Sequence, residues 1–169
     1  MSEPEINQTE TVTTTPASGR EILAWAFYDF ANSGYSTVVL TTIYSAYFVG
    51  VVAANIDQQS PGTATLLWTL SIGIANFFVL VSAPVLGAIA DYRANKKTFL
   101  LITTIACVLS TGLLGLAGPG FVVLAVLFVI VSNIAFASGE NFIASFLPEI
   151  ARTENMGKIS GYGWSLGYF

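Results

Sequence analysis

The chain has no histidine, a single cysteine and few charged residues: Lys, Arg, Asp and Glu together make up 9% of its 169 positions. Because Cys107 stands alone inside an apolar run, metal sites built on His and Cys and the usual pairs of a nucleophile with His are excluded. No P-loop or other phosphate-cradling glycine run is present, which leaves an ATP-driven pump unsupported. We therefore expect no enzyme activity, no cofactor, no metal and no binding to nucleic acid.

Apolar residues, in contrast, make up 54% of the chain and fall in long continuous runs. An average soluble domain has roughly 25% charged residues, so this composition cannot cover a water-facing surface. Each run is about as long as the ~20 residues that cross a bilayer core, and none alternates as a membrane strand does. The sequence predicts an all-α membrane protein with spans at residues 22–54, 64–90, 98–116 and 121–147, and an incomplete fifth span at 159–169. Pro148 is expected to end the fourth helix.

The first twenty residues have a different composition, with three Glu, two Pro and many Thr. Such a segment cannot bury enough apolar surface to fold, so residues 1–20 are predicted to be a disordered tail. It has no basic n-region followed by an apolar core, so it does not resemble a signal peptide. The predicted transporter half then occupies residues 21–169.

The basic residues lie on one side of this predicted topology. They occur before the first span, between spans two and three, and between spans four and five: Arg20, Arg93, Lys96, Lys97, Arg152 and Lys158. The two remaining connections, 55–65 and 117–120, contain none. By the positive-inside rule, the amino terminus and the basic loops are cytoplasmic.

Polar residues interrupt two of the spans at similar depth. In the stretch AWAFYDFANSGY, Asp29, Asn32 and Ser33 share one helix face, roughly 13 Å from the cytoplasmic edge. In the fourth span a second face carries Glu140, about 12 Å from that edge, together with Asn133 and Asn141. A charge inside a bilayer costs at least ~2.5 kcal/mol, so such residues normally face a bundle interior or a water-filled cavity.

Two interpretations of these polar residues stay open. In one they form a site for a substrate or a proton, because no basic residue in the spans neutralises either acid and a desolvated acid prefers its neutral form. In the other they are structural: Asp29 hydrogen-bonds loosened backbone near Gly34, and Glu140 pairs with Arg93 or Lys96. An intramembrane aspartyl protease requires two facing Asp, and here Asp29 has only Glu140 as a partner.

The loop GAIADYRANKK, residues 87–97, resembles the signature between the second and third helices of the major facilitator superfamily. Gly87, Asp91, Lys96 and Lys97 match that pattern, and Arg93 adds a further basic residue. Tyr92 replaces the usual basic residue and Ala94 the second Gly, and the arginine typical of the fourth helix is missing. The resemblance implies that these five matching or basic residues form a cytoplasmic gating loop.

Three further stretches resemble one branch of that superfamily, the vacuole effluxer family. They are residues 25–48, residues 141–150 and the segment SGYGWSLGY at 160–168, and the resemblance covers residues 21–169. It implies that the chain is the amino-terminal fragment of a twelve-helix fold, with the first and fourth helices lining a central cavity. Asp29, Asn32, Ser33, Asn133, Glu140 and Asn141 would then be cavity residues.

The expected function is secondary active transport of a small polar solute such as an amino acid, with proton coupling as an option; fungal relatives are associated with amino-acid export from the vacuole. The expected partners are membrane lipid, the small-molecule substrate and the remaining carboxy-terminal helices. The expected location is a bacterial cell membrane, or a vacuolar membrane in a eukaryote. The alternative is a small four-helix membrane scaffold or interaction protein without transport activity.

The distribution of basic residues yields a first prediction, on topology. Cysteines introduced at Gln58 and at Asn95 should react with an impermeant thiol reagent from opposite sides of the membrane, Gln58 from outside. Labelling of both from the same side would contradict the four-span topology.

Overall fold

The structure, a computed structural model, describes residues 18–92, 95–151 and 155–167, and all the regular elements in these ranges are helical. Two π-helical segments, Ser36–Thr42 and Phe48–Val52, interrupt the first long helix. The α-helices are α1 Gly19–Tyr35, α2 Ile43–Tyr47, α3 Ala54–Gln59, α4 Thr63–Tyr92, α5 Lys96–Leu114, α6 Val122–Ile150 and α7 Met156–Gly167.

Four helical stretches are long and apolar enough to span a membrane, which confirms the four predicted spans. They are Gly19–Val52, Thr63–Ile89, Lys96–Leu114 and Val122–Ile150. The chain is therefore an integral multi-pass membrane protein. The predicted fifth helix is also present, but it begins at Met156 instead of residue 159, and residues 168–169 lie outside the described ranges.

The prediction that Pro148 ends the fourth helix is wrong. α6 continues to Ile150, with the proline inside its last turn. A proline removes one backbone donor. Near the end of a helix this cost is confined to a single hydrogen bond, and the amide of Ala151 still donates to the carbonyl of Leu147 at 2.9 Å.

The first helix begins at Gly19, one residue before the end of the predicted tail, and residues 1–17 of that tail lie outside the described ranges. A capping box explains this start. The amide of Ser18 donates to the Glu21 carboxylate at 2.9 Å, and the amide of Glu21 donates to the Ser18 hydroxyl at 3.4 Å. These bonds satisfy amides that the first helical turn leaves unpaired.

The π-helical segment Ser36–Thr42 widens the first span directly after Gly34. A wider turn breaks the regular pattern of backbone bonds, and in a membrane no water replaces them. Threonine hydroxyls supply the missing donors. Thr41 donates to the carbonyl of Thr37 at 3.0 Å, and Thr42 donates to the same carbonyl at 2.5 Å.

α6 is the central helix, since it packs against α1, α4, α5 and α7. Its small and apolar residues reach three buried clusters along the length of the bundle. One cluster, at the end of the bundle where the first span finishes, includes Phe48, Val52 and Ala125; the middle one includes Tyr35, Val39 and Val129; the third includes Trp25, Ile143 and Ile159. α7 packs mainly on α1, so α1 lies between α6 and α7.

The end of the bundle where the first span finishes depends on one glycine conformation. Gly120 adopts a left-handed φ of 85°, and its amide donates to the carbonyl of Val52 at 3.0 Å. This bond ties the connection before α6 to the end of the first span.

We predict that Gly120→Ala destabilises the protein by about 1–2 kcal/mol, because an L-residue is strained in the left-handed conformation. Gly118→Ala is the matched control, since a Cβ there meets nothing within 4 Å and the backbone is not left-handed. Thermal unfolding in detergent measures both variants. Equal melting temperatures would contradict the role of Gly120.

Candidate functional site

Four side chains of α1 form hydrogen bonds across helix interfaces. They follow one another at spacings of three, four and three residues, which places them on one helix face. We call this row the polar seam: Trp25, Tyr28, Asn32 and Tyr35.

Each member of the polar seam bonds to a neighbouring helix. The Trp25 indole Nε1 donates to the carbonyl of Ile143 at 2.9 Å, and the Tyr28 hydroxyl lies 2.9 Å from the Thr104 Oγ1. The Tyr35 hydroxyl lies 2.8 Å from the Ser132 Oγ. Because hydrocarbon supplies no alternative partner, these bonds fix the rotation of α1 against α5 and α6.

Asn32 connects the polar seam to one of the two membrane acids. Its Nδ2 donates a hydrogen bond to the Glu140 Oε1 on α6. Glu140 is half-buried, and in the described part of the chain it has no ion pair. The structure therefore places an amide and a carboxyl group in direct contact between the first and fourth spans.

Asp29 lies beside the polar seam, on the edge of α1 that faces α7. Its carboxyl group has no hydrogen-bond partner or ion pair among residues 18–92, 95–151 and 155–167. It precedes Asn32, the partner of Glu140, by three residues on α1. Ser33 donates its hydroxyl to the backbone carbonyl of Asp29 at 3.1 Å and so is satisfied within α1.

The structural interpretation of the two acids receives no support from these contacts. The widened backbone after Gly34 is satisfied by threonine hydroxyls, while the Asp29 carboxyl group bonds to none of it. Lys96 pairs with Glu149 at 2.7 Å, and Glu140 bonds to Asn32. Arg93, the other predicted partner of Glu140, lies outside the described residues.

Asn133 and Asn141 do not join this pair. Asn133 is only 3% exposed, and its Nδ2 has no partner within the described residues. Asn141 faces α4 instead, where it lines a small cavity of about 70 Å³ with Gly87 and Lys96. Adjacent residues of a helix point about 100° apart, so Glu140 and Asn141 reach different neighbours.

The predicted gating loop is described only in part. Gly87 and Lys96 border the small cavity beside α6, and the Lys97 side chain is exposed. Nothing is described of Arg93 or of the Asp91 side chain. The described residues place one end of the loop against α6, the helix that carries Glu140 and Glu149.

A larger cavity of about 500 Å³ lies between α1, α5 and α6. Its polar lining includes three members of the polar seam, Tyr28, Asn32 and Tyr35, with Thr103 and Thr104 opposite them. Neither Asp29 nor Glu140 lines it. The two carboxyl groups therefore belong to a different surface of α1 and α6.

Sequence reasoning missed Trp25, Tyr28 and Tyr35, and it missed the glycine that Tyr28 requires. A Cβ at Gly139 would lie 3.0 Å from the Tyr28 hydroxyl. The signal was the regular three-four-three spacing that these aromatic residues share with Asn32, since aromatic side chains with a polar tip need a partner when they are buried.

Comparison with known proteins identifies relatives among transporters. The family described as "Vacuole effluxer Atg22 like" matches residues 49–163. An uncharacterised MFS-type transporter, YxiO of Bacillus subtilis, is 34% identical over 145 residues, which are 86% of this chain and 33% of that protein. The lactose permease of Lactobacillus helveticus is 26% identical over 125 residues, which are 68% of this chain and 20% of that protein. No solved structure matches the chain significantly.

The chain thus spans about a third of the length of one relative and a fifth of the other. Both relatives are membrane transporters by name, which supports transport over catalysis. The four spans and the fifth helix of this chain are consistent with part of the major facilitator fold of these relatives.

The bond between Asn32 and Glu140 leads to a prediction on stability. Asn32→Ala and Glu140→Ala should each lower the free energy of unfolding of the full-length protein. The loss in the double variant should be smaller than the sum of the two single losses by about 0.6 kcal/mol or more, as for hydrogen bonds between membrane helices. Unfolding by denaturant in detergent micelles measures this coupling. Ser33→Ala with Glu140→Ala is the control pair and should be additive, because Ser33 bonds within α1. Additive losses for Asn32 and Glu140 would contradict the contact.

Proposed function

The chain belongs to the vacuole effluxer Atg22-like family of major facilitator transporters, and we propose that it forms the amino-terminal part of a secondary active transporter for a small polar solute. The matched segments cover only 33% and 20% of the two relatives, so the remaining helices are its expected partners. A reading frame that continues past Phe169 into further spans tests this part of the proposal.

The observation that carries the proposal is the placement of two carboxyl groups at the first and fourth spans. Glu140 accepts a hydrogen bond from Asn32, and Asp29 lies on α1 three residues before Asn32. Neither forms an ion pair in the described ranges. Two like charges at such a site repel each other, and each costs free energy in the membrane. A proton or an external cation lowers this cost, which makes the pair suited to binding one.

The substrate class follows from the chemistry of this pair. A protonated amine, such as the ammonium group of an amino acid, supplies the missing positive charge, and Asn32 offers a neutral amide next to it. The family description names effluxers, and one relative is called a lactose permease, which is consistent with small polar solutes. We propose an amino acid as substrate, with a proton exchanged at Asp29 or Glu140 as the coupling ion.

The gating loop belongs to the same proposal. Gly87, Asp91, Arg93, Lys96 and Lys97 match or extend the superfamily signature, and the described part of the loop packs beside α6. Its basic residues favour a cytoplasmic position, with the amino terminus on the same side, in a bacterial cell membrane or a vacuolar membrane.

Charge removal at the two acids tests the proposed function. Asp29→Asn and Glu140→Gln keep the side-chain shapes, and in the full-length transporter at least one of them should flatten or shift the pH dependence of amino-acid transport into vesicles. The reason is that a neutral amide binds no proton and no cation. Transport of labelled amino acids is measured from acidic to mildly alkaline pH.

Asp57→Asn is the matched control, because Asp57 lies outside the spans and its Oδ1 only accepts the amides of Gly62 and Ala64, at 3.0 and 3.1 Å. An asparagine oxygen still accepts those bonds, so its pH profile should remain that of the wild type. If the profiles of Asp29→Asn and Glu140→Gln also overlay the wild type, the two acids are structural.

A further inference from the structure

The contact between α7 and α1 contains a glycine that touches both Trp25 and Asp29. A Cβ built on Gly163 would lie 2.7 Å from the ζ3 carbon and 3.2 Å from the η2 carbon of Trp25, and 3.0 Å from the Asp29 Oδ2. Side-chain carbons essentially never approach within 3.0 Å, so only a bare Cα fits this position. The backbone of α7 therefore lies directly against the carboxyl group.

The two neighbours of Gly163 differ in their freedom to move. Trp25 is 9% exposed, and its indole is bonded to the Ile143 carbonyl on α6 at 2.9 Å. Asp29 has no hydrogen bond from its carboxyl group to any described residue. The indole is held by its bond to α6, while the carboxyl group next to Gly163 has no such bond.

We propose that Gly163 is a positioning residue for Asp29. The missing side chain at this position lets α7 approach α1, and that approach sets where the Asp29 carboxyl group points. The role of Asp29 in binding a proton or a substrate cation rests on the proposed function above; the steric control of its position by Gly163 does not.

The same helix supplies controls for this proposal. A Cβ at Gly157 or at Gly161 meets nothing within 4 Å, although both lie on α7 and lose the same backbone freedom when replaced by alanine. The internal reference is Glu140, which is held by Asn32 and is not among the three atoms nearest a Cβ on Gly163. If the methyl group at residue 163 changes the labelling of Asp29 but not of Glu140, the effect is local. A general destabilisation of the bundle would change both.

The experiment measures how dicyclohexylcarbodiimide reacts with Asp29 in the full-length protein in membranes. The reaction is run at acidic pH, where carboxyl groups are protonated, and mass spectrometry of the labelled peptides gives its extent. In Gly163→Ala the labelling of Asp29 should fall by about threefold or more, because the methyl group would lie 3.0 Å from Oδ2 and the carboxyl group must move away from it. Labelling of Glu140 should stay at the wild-type level, and Gly157→Ala and Gly161→Ala should leave both sites unchanged. Unchanged labelling of Asp29 in Gly163→Ala would overturn the proposal.

A second variant separates the carboxyl group from the ring. Trp25→Phe combined with Gly163→Ala removes the ring atoms that the methyl group meets, and comparison with Trp25→Phe alone cancels the loss of the indole bond to Ile143. The double variant should label less at Asp29 than Trp25→Phe alone. Equal labelling of the two variants would show that Gly163 acts through the ring, and it would overturn the proposal. Because the labelling needs no substrate, it stands apart from the transport assay that tests the proposed function.

Discussion

The lack of hydrogen-bonding partners in hydrocarbon is the constraint on which the arrangement of α1 depends. A polar side chain in the first span finds its partners within the protein or stays unpaired, and leaving it unpaired costs several kcal/mol. The polar seam meets this requirement with four bonds to α5 and α6, at the carbonyl of Ile143 and the side chains of Thr104, Glu140 and Ser132. These bonds determine which face of α1 is turned toward the bundle, and they leave the edge with Asp29 against α7.

This rotation explains why the two membrane acids have different surroundings. Glu140 is held by an amide of the polar seam, while the Asp29 carboxyl group lies beside Gly163 on α7. A carboxyl group with one fixed hydrogen bond responds to a proton or a cation differently from one that has none. α1 is therefore the element that contacts α6 through Asn32 and α7 through Asp29.

The sequence predicted the spans well because their information is local: length, apolar composition and the position of basic residues determine where a helix crosses. It also predicted that Asp29 and Glu140 lie at similar depth, and in the structure Asn32, three residues after Asp29, bonds to Glu140. It did not predict the π-helical turn after Gly34 or the continuation of α6 beyond Pro148. Both depend on which hydrogen bonds remain available to the backbone at these positions. The faces of Asn141 and Asn133 depend on neighbouring helices, and helical periodicity alone does not identify those neighbours.

If Asp29 and Glu140 bind a proton or a cation, water must reach α1 beside Asp29 inside the membrane, and thiol reactivity tests this most directly. In a full-length protein with Cys107→Ser, cysteines are introduced singly at Ser33, one turn from Asp29, and at Phe30, whose side chain is 43% exposed on the apolar side of α1. A charged methanethiosulfonate reacts only with thiols that water reaches. The account predicts modification at Ser33→Cys and none at Phe30→Cys. No modification at Ser33→Cys, or equal modification at both positions, would contradict it.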